Sequence, residues 1–280
     1  MPRRLFIFAA YDAGGMVGSS LLWYLEALSR CGDIVLAADT GFRDGELEKL
    51  KGLCLHAEGC AHGEYDFGSY KRGWRHACSS LDMRAYDFVY LVNDSVFGPL
   101  YDLSPYLERM EGMGCQAFAL GIHPGRHSTH LQSWFMGFGR EVFTASWFGS
   151  FLLSVERQGS KEDVCEKYES GLTRLLSAGG ISFGGLYSLP GKSVYNSPYR
   201  LYRRGFPFVK KSAFTRHGGS LGRQLRAVLD SVPDGCRNAV LEDASRLFGR
   251  EYVGWLLSCS PSGAARRYLH YLFRKVFSRP

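Results

Sequence analysis

Short apolar runs alternate with amphipathic segments along the first part of the chain. LFIFAAYD (5–12), DIVLAADT (33–40), YDFVYLVNDS (86–95) and CQAFALGI (115–122) have the length and composition of buried strands. Between the first two, Leu21, Leu25 and Leu28 recur at the spacing of one helical face. Strands that alternate with helices favour an α/β domain with a mainly parallel sheet flanked by helices.

The pattern becomes less regular beyond residue 127. HSTHLQSWFMGFGREVF resembles an irregular strand pair, and the segment that begins near Ser160 has firm helical periodicity. We predict an α/β domain over residues 1–215 and a helical region over 216–280. The last segment, ARRYLHYLFRKVFSRP, places apolar and basic residues on opposite helical faces, which predicts either a helix that lies on an anionic membrane or one that packs on the domain.

Polar residues follow three of the predicted strands where each strand ends. Asp12 follows the first strand, Asp39 the second, and the cluster Asn93, Asp94 and Ser95 the third. Open α/β sheets bind ligands beyond the carboxyl ends of their strands. These side chains are therefore expected on one rim of the sheet, where a ligand would bind.

The cluster at residues 93–95 is consistent with two structures. One carboxylate with oxygen donors beside it suits a hard divalent cation whose other ligands are phosphate and water, and Asp94 would then be the metal ligand. Asn, Asp and Ser are also common in turns, where their side chains bond to their own backbone. Both structures stay open from these residues alone.

Composition limits the class of protein. With 45% hydrophobic residues the chain can bury a full core, and the net charge of +7 favours an anionic partner. The eight cysteines are scattered without a CxxC pair, which favours reduced thiols in a cytosolic protein. No apolar run reaches the roughly 20 residues of a membrane span, and Asp12 interrupts the apolar run near the N terminus.

Several further segments carry candidate chemistry. YDAGGMVG (11–18) partly matches a dinucleotide fingerprint, although Ala13 replaces its first glycine, and it also suits a plain glycine-rich turn. Zinc-type ligands crowd into residues 54–62, but their spacing is irregular, which favours a loop. In residues 65–77, basic and aromatic side chains could hold phosphates or a base, or form a solvated face. Three glutamates, Glu162, Glu166 and Glu169, share one helical side, and one could act as general base.

Four stretches together resemble the rhamnan synthesis F family, glycosyltransferases that build rhamnose-containing cell-surface polysaccharides. The stretches are AAYDAGGMVGSSLLWYLEAL, YDFGSYKRGW, LVNDSVFGPL, and LQSWFMGFGREVF with KYESGLTRLLSAGG. The second and third are the most specific. The resemblance implies a GT-A-like Rossmann-type fold and a role as an inverting rhamnosyltransferase in O-antigen, lipopolysaccharide or cell-wall synthesis.

The resemblance also implies roles for individual residues. The cluster of Asn93, Asp94 and Ser95 takes the place of the Asp-x-Asp motif, so Asp94 would bind Mg²⁺ or Mn²⁺ against the donor diphosphate. Because only one carboxylate is present, Lys71 or Arg72 could neutralise the diphosphate instead. The remaining implied site residues are Tyr11, Asp12 and Asp39 at the nucleoside, Asp66, Gly68 and Lys71 in the donor pocket, Glu169 as base, and His130 and Gln132 on the acceptor side.

The implied partners are a nucleoside-diphosphate sugar, with dTDP-rhamnose as first choice, a lipid-linked saccharide acceptor, other glycosyltransferases, and the inner face of the bacterial plasma membrane through the basic tail. No nucleic-acid partner is expected. Two alternatives remain open: a Rossmann-type NAD(P)-dependent oxidoreductase would explain AGGMVG and Asp39, and a non-catalytic membrane-surface or nucleic-acid-binding protein would explain the charge.

Overall fold

The computed structural model describes residues 2–125, 129–216, 220–258, 260 and 265. Ten strands lie in this part of the chain: β1 (Arg4–Ala10), β2 (Asp33–Ala38), β3 (His56–Gly59), β4 (Phe88–Asn93), β5 (Val96–Phe97), β6 (Ala117–His123), β7 (His130–Leu131), β8 (Phe135–Gly139), β9 (Phe183–Ser188) and β10 (Val209–Lys210).

Twelve α-helices lie in the described residues: α1 (Ser19–Ser29), α2 (Tyr65–Ser80), α3 (Ser104–Glu111), α4 (Arg140–Phe143), α5 (Ser146–Leu153), α6 (Lys161–Val164), α7 (Gly171–Ala178), α8 (Ser193–Asn196), α9 (Pro198–Arg203), α10 (Leu221–Leu229), α11 (Asp234–Phe248) and α12 (Arg250–Leu257). A π-helical segment, Cys165–Ser170, joins α6 to α7. Single 3₁₀ turns occupy Leu47–Leu50, Met83–Ala85 and Lys211–Thr215.

Eight of the strands form one sheet in the order β3-β2-β1-β4-β8-β6-β7, with β9 beside β6. The pairs β1–β2, β1–β4, β2–β3 and β6–β9 are parallel, and β8 runs antiparallel between β4 and β6. All seven residues of β1 are buried, as expected for a central strand covered on both faces. The predicted α/β class with a mainly parallel, helix-flanked sheet is therefore confirmed.

Contacts divide the chain into two units. The first comprises residues 1–17, 25–94 and 102–190, and the second comprises 18–24, 95–101 and 191–280. The core of the first unit joins sheet residues such as Leu5 and Leu91 to α2, α5 and α7. The core of the second joins β5 and β10 to α10, α11 and α12, so the predicted C-terminal helices are present in the described residues.

One sequence prediction is wrong, and another concerns residues that the structure does not describe. Residues 56–59, interpreted as loop, form the edge strand β3, because Val35 to Ala38 of β2 offer parallel partners that no local pattern reveals. The proposed membrane-facing tail, residues 265–280, lies outside the described residues apart from Ala265. The boundary predicted at residue 215 stays a prediction.

Candidate functional site

The loop after β1 is shaped by Asp12. Its Oδ1 accepts hydrogen bonds from the backbone N–H groups of Gly14 (2.9 Å) and Met16 (3.1 Å), and Thr40 donates to its carbonyl oxygen. Tyr11, the residue before it, is exposed to 58%. The carboxylate of Asp12 thus holds the glycine-rich loop in place, while the neighbouring tyrosine ring is open to a ligand at this edge of the sheet.

Asp39, at the end of β2, holds the loop that leads into α2. Its Oδ1 accepts hydrogen bonds from the backbone N–H groups of His62 and Gly63, both at 2.8 Å, and its Oδ2 accepts one from Tyr65 at 3.2 Å. Tyr65 has a φ of 58°, a left-handed conformation that is rare for a non-glycine residue, and its ring is exposed to 41%. The expected nucleoside contact of Asp39 stays a prediction, and three backbone donors already occupy the carboxylate.

The end of β4 connects two of the predicted donor residues. Asn93 is buried, and its Nδ2 donates a hydrogen bond to Oδ2 of Asp66 in the first turn of α2, at 3.0 Å. Its backbone N–H donates to the carbonyl oxygen of Trp134. The half-buried Asp94 follows directly, with its backbone N–H bonded to Ala9 of β1.

The basic residues of α2 are held by a glutamate. Glu64 accepts hydrogen bonds from NH1 of Arg72 (2.5 Å) and from Nζ of Lys71 (3.3 Å), and Lys71 also donates to the carbonyl oxygen of Val155 (2.6 Å). Burial alone would raise the pKa of Glu64, but the two cations outweigh it and the pKa is lowered. To bind a diphosphate as predicted, Lys71 or Arg72 would have to give up part of its pairing with Glu64.

Gly68 and His62 pack against the same network. A side chain at position 68 would collide with Glu64 and His62, so only glycine fits there. His62 accepts the Glu64 backbone N–H at Nδ1 and lies 3.1 Å from the Ser69 hydroxyl at Nε2. Burial, followed by the charge of Arg72, lowers the pKa of His62, so this histidine is neutral near pH 7.

Glu169 lies in the π-helical segment, a type of turn that is frequent at functional sites. Its Oε2 accepts hydrogen bonds from the backbone N–H of Ser133, at 2.8 Å, and from the Ser133 hydroxyl. Its Oε1 lies 3.6 Å from Nε2 of His130. The structure thus brings the predicted base Glu169 beside His130, which was predicted on the acceptor side, whereas Glu162 and Glu166 are exposed.

The half-buried thiol of Cys165 lies in the same π-helical segment. Burial, followed by the charge of Glu169, raises the pKa of Cys165 to about 11, and Asp66 also raises it while Lys161 opposes the change. Gln132, predicted on the acceptor side, accepts a hydrogen bond from the indole N–H of the buried Trp134 at 2.9 Å.

In the second unit, an acidic side chain binds the start of α1. Helix α1 begins at Ser19, and Asp243 accepts hydrogen bonds from the backbone N–H and hydroxyl of Ser20. A helix N terminus attracts anions, and a carboxylate already satisfies it here. The same unit contains Ser95, which accepts a hydrogen bond from Nζ of Lys210 at 2.8 Å.

Metal ligands are sparse in the described residues, where no group of three or more histidine, cysteine or acidic side chains could hold an ion. Of the crowded zinc-type residues, His56 stacks on His76 with ring centroids 3.6 Å apart, and burial raises the pKa of Cys54 to about 12.

Sequence reasoning missed two residues: Ser133, which binds Glu169, and Tyr65. No local sequence pattern marks Ser133. For Tyr65, the nearby Gly63 indicates an unusual turn before α2.

Comparison with known proteins identifies the family. The sequence model of "Rhamnan synthesis protein F" matches residues 55–257, and the chain belongs to this family. The match includes three of the four stretches that carry the resemblance and extends into the C-terminal helices.

Two individual proteins are also similar. The uncharacterised protein y4gN of Sinorhizobium fredii is 23% identical over 189 residues, which are 65% of this chain and 48% of y4gN. The chain thus spans about half the length of that curated relative. A crystal structure of a provisionally assigned nucleotide-diphospho-sugar transferase from Desulfovibrio desulfuricans has 15% identity and a TM-score of 0.44, covering 85% of this chain and 99% of that one.

In the part of the chain that the structure describes, no helix combines the length and apolarity needed to cross a membrane.

Proposed function

We propose that this protein transfers a sugar, rhamnose in the first instance, from a nucleoside-diphosphate donor to a lipid-linked acceptor of a cell-surface polysaccharide. The observation that carries the proposal is the hydrogen bond between Asn93 and Asp66, which places two predicted donor residues together beyond the end of β4. Family membership supports the reaction class. The inner face of the plasma membrane is the proposed place of action, because a lipid-linked acceptor lies there.

A divalent cation suits the charge of the donor side. Asp12, Asp39, Asp66 and Asp94 are all acidic, and Lys71 and Arg72 are already paired with Glu64. A divalent cation would offset the repulsion between these carboxylates and a diphosphate. Mg²⁺ is held by one or two carboxylates together with phosphate and water, so Asp94 is enough as the protein ligand. When bound, the cation would neutralise charge on the departing diphosphate.

Glu169 is the proposed general base. It takes the proton of the acceptor hydroxyl, the hydroxyl oxygen bonds to the anomeric carbon of the donor, and the bond from that carbon to the diphosphate breaks with its electron pair on the diphosphate. Direct displacement of this kind inverts the anomeric centre. Ser133 fixes one oxygen of Glu169, and the other oxygen lies beside His130.

Thermal unfolding with nucleotides tests the donor site. The protein would be heated with dTDP, UDP, GDP or NADH, with and without Mn²⁺, since a ligand at 100 times its dissociation constant stabilises by about 2.7 kcal/mol. We expect a metal-dependent shift with one nucleoside diphosphate that Asp94→Ala abolishes and Glu108→Ala, an exposed carboxylate of α3, retains. A shift with NADH alone, or with none of the four, would reject the proposal.

A further inference from the structure

A groove lies beside His130 and Glu169 in the first unit. It has a volume of ≈ 510 Å³ and is lined on one side by Thr129 and His130 and on the other by residues of the π-helical segment and α7. We call it the α7 groove. Its volume falls within the range of about 300–1,000 Å³ that is typical of small-molecule sites.

Four of the seven residues that line the α7 groove carry a hydroxyl group: Thr129, Ser170, Thr173 and Ser177. The Thr129 hydroxyl donates to the carbonyl oxygen of Gly125, and the Ser177 hydroxyl donates to that of Thr173. A hydroxyl has one donor and two acceptor positions, so both keep acceptor capacity for an O–H of a ligand. The lining therefore suits a ligand with several hydroxyl groups.

The charge of the groove argues against a phosphate. Arg174 is the cation among the described residues of the lining, and its Nη1 pairs with Oε1 of Glu166 at 2.6 Å. His130 has Glu169 at 3.6 Å. Each of these two described groups thus has a carboxylate beside it, which lowers its attraction for an anion. A neutral ligand fits this balance better than a diphosphate.

Position links the groove to the reaction. His130 lines the groove and contacts Glu169, and Ser170 in the lining follows Glu169 directly in the chain. We propose that the α7 groove binds the acceptor saccharide as a neutral polyhydroxyl ligand and presents one hydroxyl to the His130–Glu169 pair. This inference rests on the proposed glycosyltransferase function and specifies where the second substrate binds.

The test fills the groove without altering the buried structure. Ala178 lines the groove and is exposed at the end of α7, so Ala178→Trp would occupy it. Leu175→Trp is the matched control, because Leu175 is an exposed residue of the same helix that does not line the groove. Far-ultraviolet circular dichroism and the thermal midpoint would confirm that both variants fold.

Binding would be measured by saturation-transfer difference NMR, with and without the best stabilising nucleoside diphosphate. The probes are the methyl glycosides of rhamnose, glucose and N-acetylglucosamine. We expect saturation transfer to at least one glycoside in the wild type and in Leu175→Trp, a loss of at least fivefold in Ala178→Trp, and no displacement by inorganic phosphate. Any of three results would overturn the proposal: no saturation transfer to any glycoside, equal saturation transfer in Ala178→Trp and the wild type, or displacement of the glycoside by phosphate.

The two proposals fail separately. Nucleotide-dependent stabilisation of the wild type without glycoside binding would reject the α7 groove and leave the proposed function standing. Glycoside binding at the groove without any nucleotide-dependent stabilisation would support a saccharide site and reject the transferase reaction.

Discussion

The side-chain amide of Asn93 donates a hydrogen bond to the carboxylate of Asp66, with 3.0 Å between Nδ2 and Oδ2. Asn93 ends β4, and Asp66 lies in the first turn of α2. The amide satisfies one oxygen of the Asp66 carboxylate, and Asp94 follows Asn93 directly in the chain. An amide at position 93, rather than a second acid, therefore limits repulsion at the donor side.

Replacing this amide by a carboxylate should destabilise the protein in a pH-dependent way. Asn93→Asp places two carboxylates in contact at a buried position, so we expect a loss of about 1–3 kcal/mol or more in the free energy of unfolding at about pH 7. The contact raises the folded-state pKa of one carboxyl, so the loss should shrink as the pH falls through that raised pKa and be smallest at about pH 4, the unfolded-state pKa of Asp. Urea unfolding at both pH values measures it.

The double variant Asp66→Asn with Asn93→Asp is the control, because it restores an amide–carboxylate pair with the partners exchanged. It should recover more than half of the lost stability at about pH 7. Equal stability of Asn93→Asp and the wild type at that pH would contradict the role given to the Asn93–Asp66 hydrogen bond.

Removing the base should slow transfer strongly while the fold is retained. Glu169→Gln keeps an oxygen for Ser133 but cannot take a proton, so we expect the transfer rate to fall by about 10²–10⁴-fold. Glu162→Gln, at an exposed position of α6, should leave the rate unchanged. The measurement is the release of nucleoside diphosphate in the presence of acceptor, and comparable losses in both variants would argue against Glu169 as the base.

The network of Glu64 should make stability depend on acid pH. The folded-state pKa of Glu64 is lowered below its ordinary value of 4.5, chiefly because Arg72 and Lys71 outweigh the effect of burial. Its stabilisation is therefore fully present above the unfolded-state pKa and is lost as the pH falls through the folded-state pKa. Glu64→Gln should cost about 1–3 kcal/mol near neutral pH and converge with the wild type in acid. Parallel stability curves would exclude this contribution.

Close packing at the start of α1 predicts opposite effects of one substitution at two glycines. A methyl group at Gly18 would overlap the buried carboxylate of Asp243, so Gly18→Ala should destabilise by about 1–3 kcal/mol. Gly254 lies inside α12 with nothing within 4 Å of an added Cβ, so Gly254→Ala should stabilise by about 1 kcal/mol. Thermal unfolding distinguishes the two, and the same sign for both would be inconsistent with the packing described.

A buried ion pair joins the first residue of β1 to the last residue of α3. Nε and NH2 of Arg4 bind the two oxygens of Glu111 at 2.6 and 2.8 Å, and Tyr90 donates to the same carboxylate. Glu111→Gln should cost about 3–5 kcal/mol because it leaves Arg4 buried without a counter-charge. Glu48→Gln removes an exposed partner of Lys51 and should cost about 0–1 kcal/mol. Chemical denaturation compares them, and equal costs would contradict the importance of burial.

Local sequence patterns determined the α/β class, the strands that precede Asp12 and Asp39, the strand that ends at Asn93, and the helix that starts near Ser160. Ser160 does cap this helix through a hydrogen bond from the Asp163 backbone N–H. Periodicity, capping and strand composition depend on residues close together in the chain, so one sequence is enough to reveal them. The rim of acidic residues followed from the rule that parallel strands end on the same edge.

Tertiary structure alone decided which candidate side chains meet. Glu162, Glu166 and Glu169 share one helical periodicity, but only Glu169 reaches Ser133 and His130 among the described contacts of the three. Asp39 binds backbone donors of the loop before α2, and Lys71 and Arg72 pair with Glu64, at separations that no local pattern encodes. Long-range packing selects one partner among several of equal chemical character, and that selection depends on the folded positions of distant segments rather than on spacing along the chain.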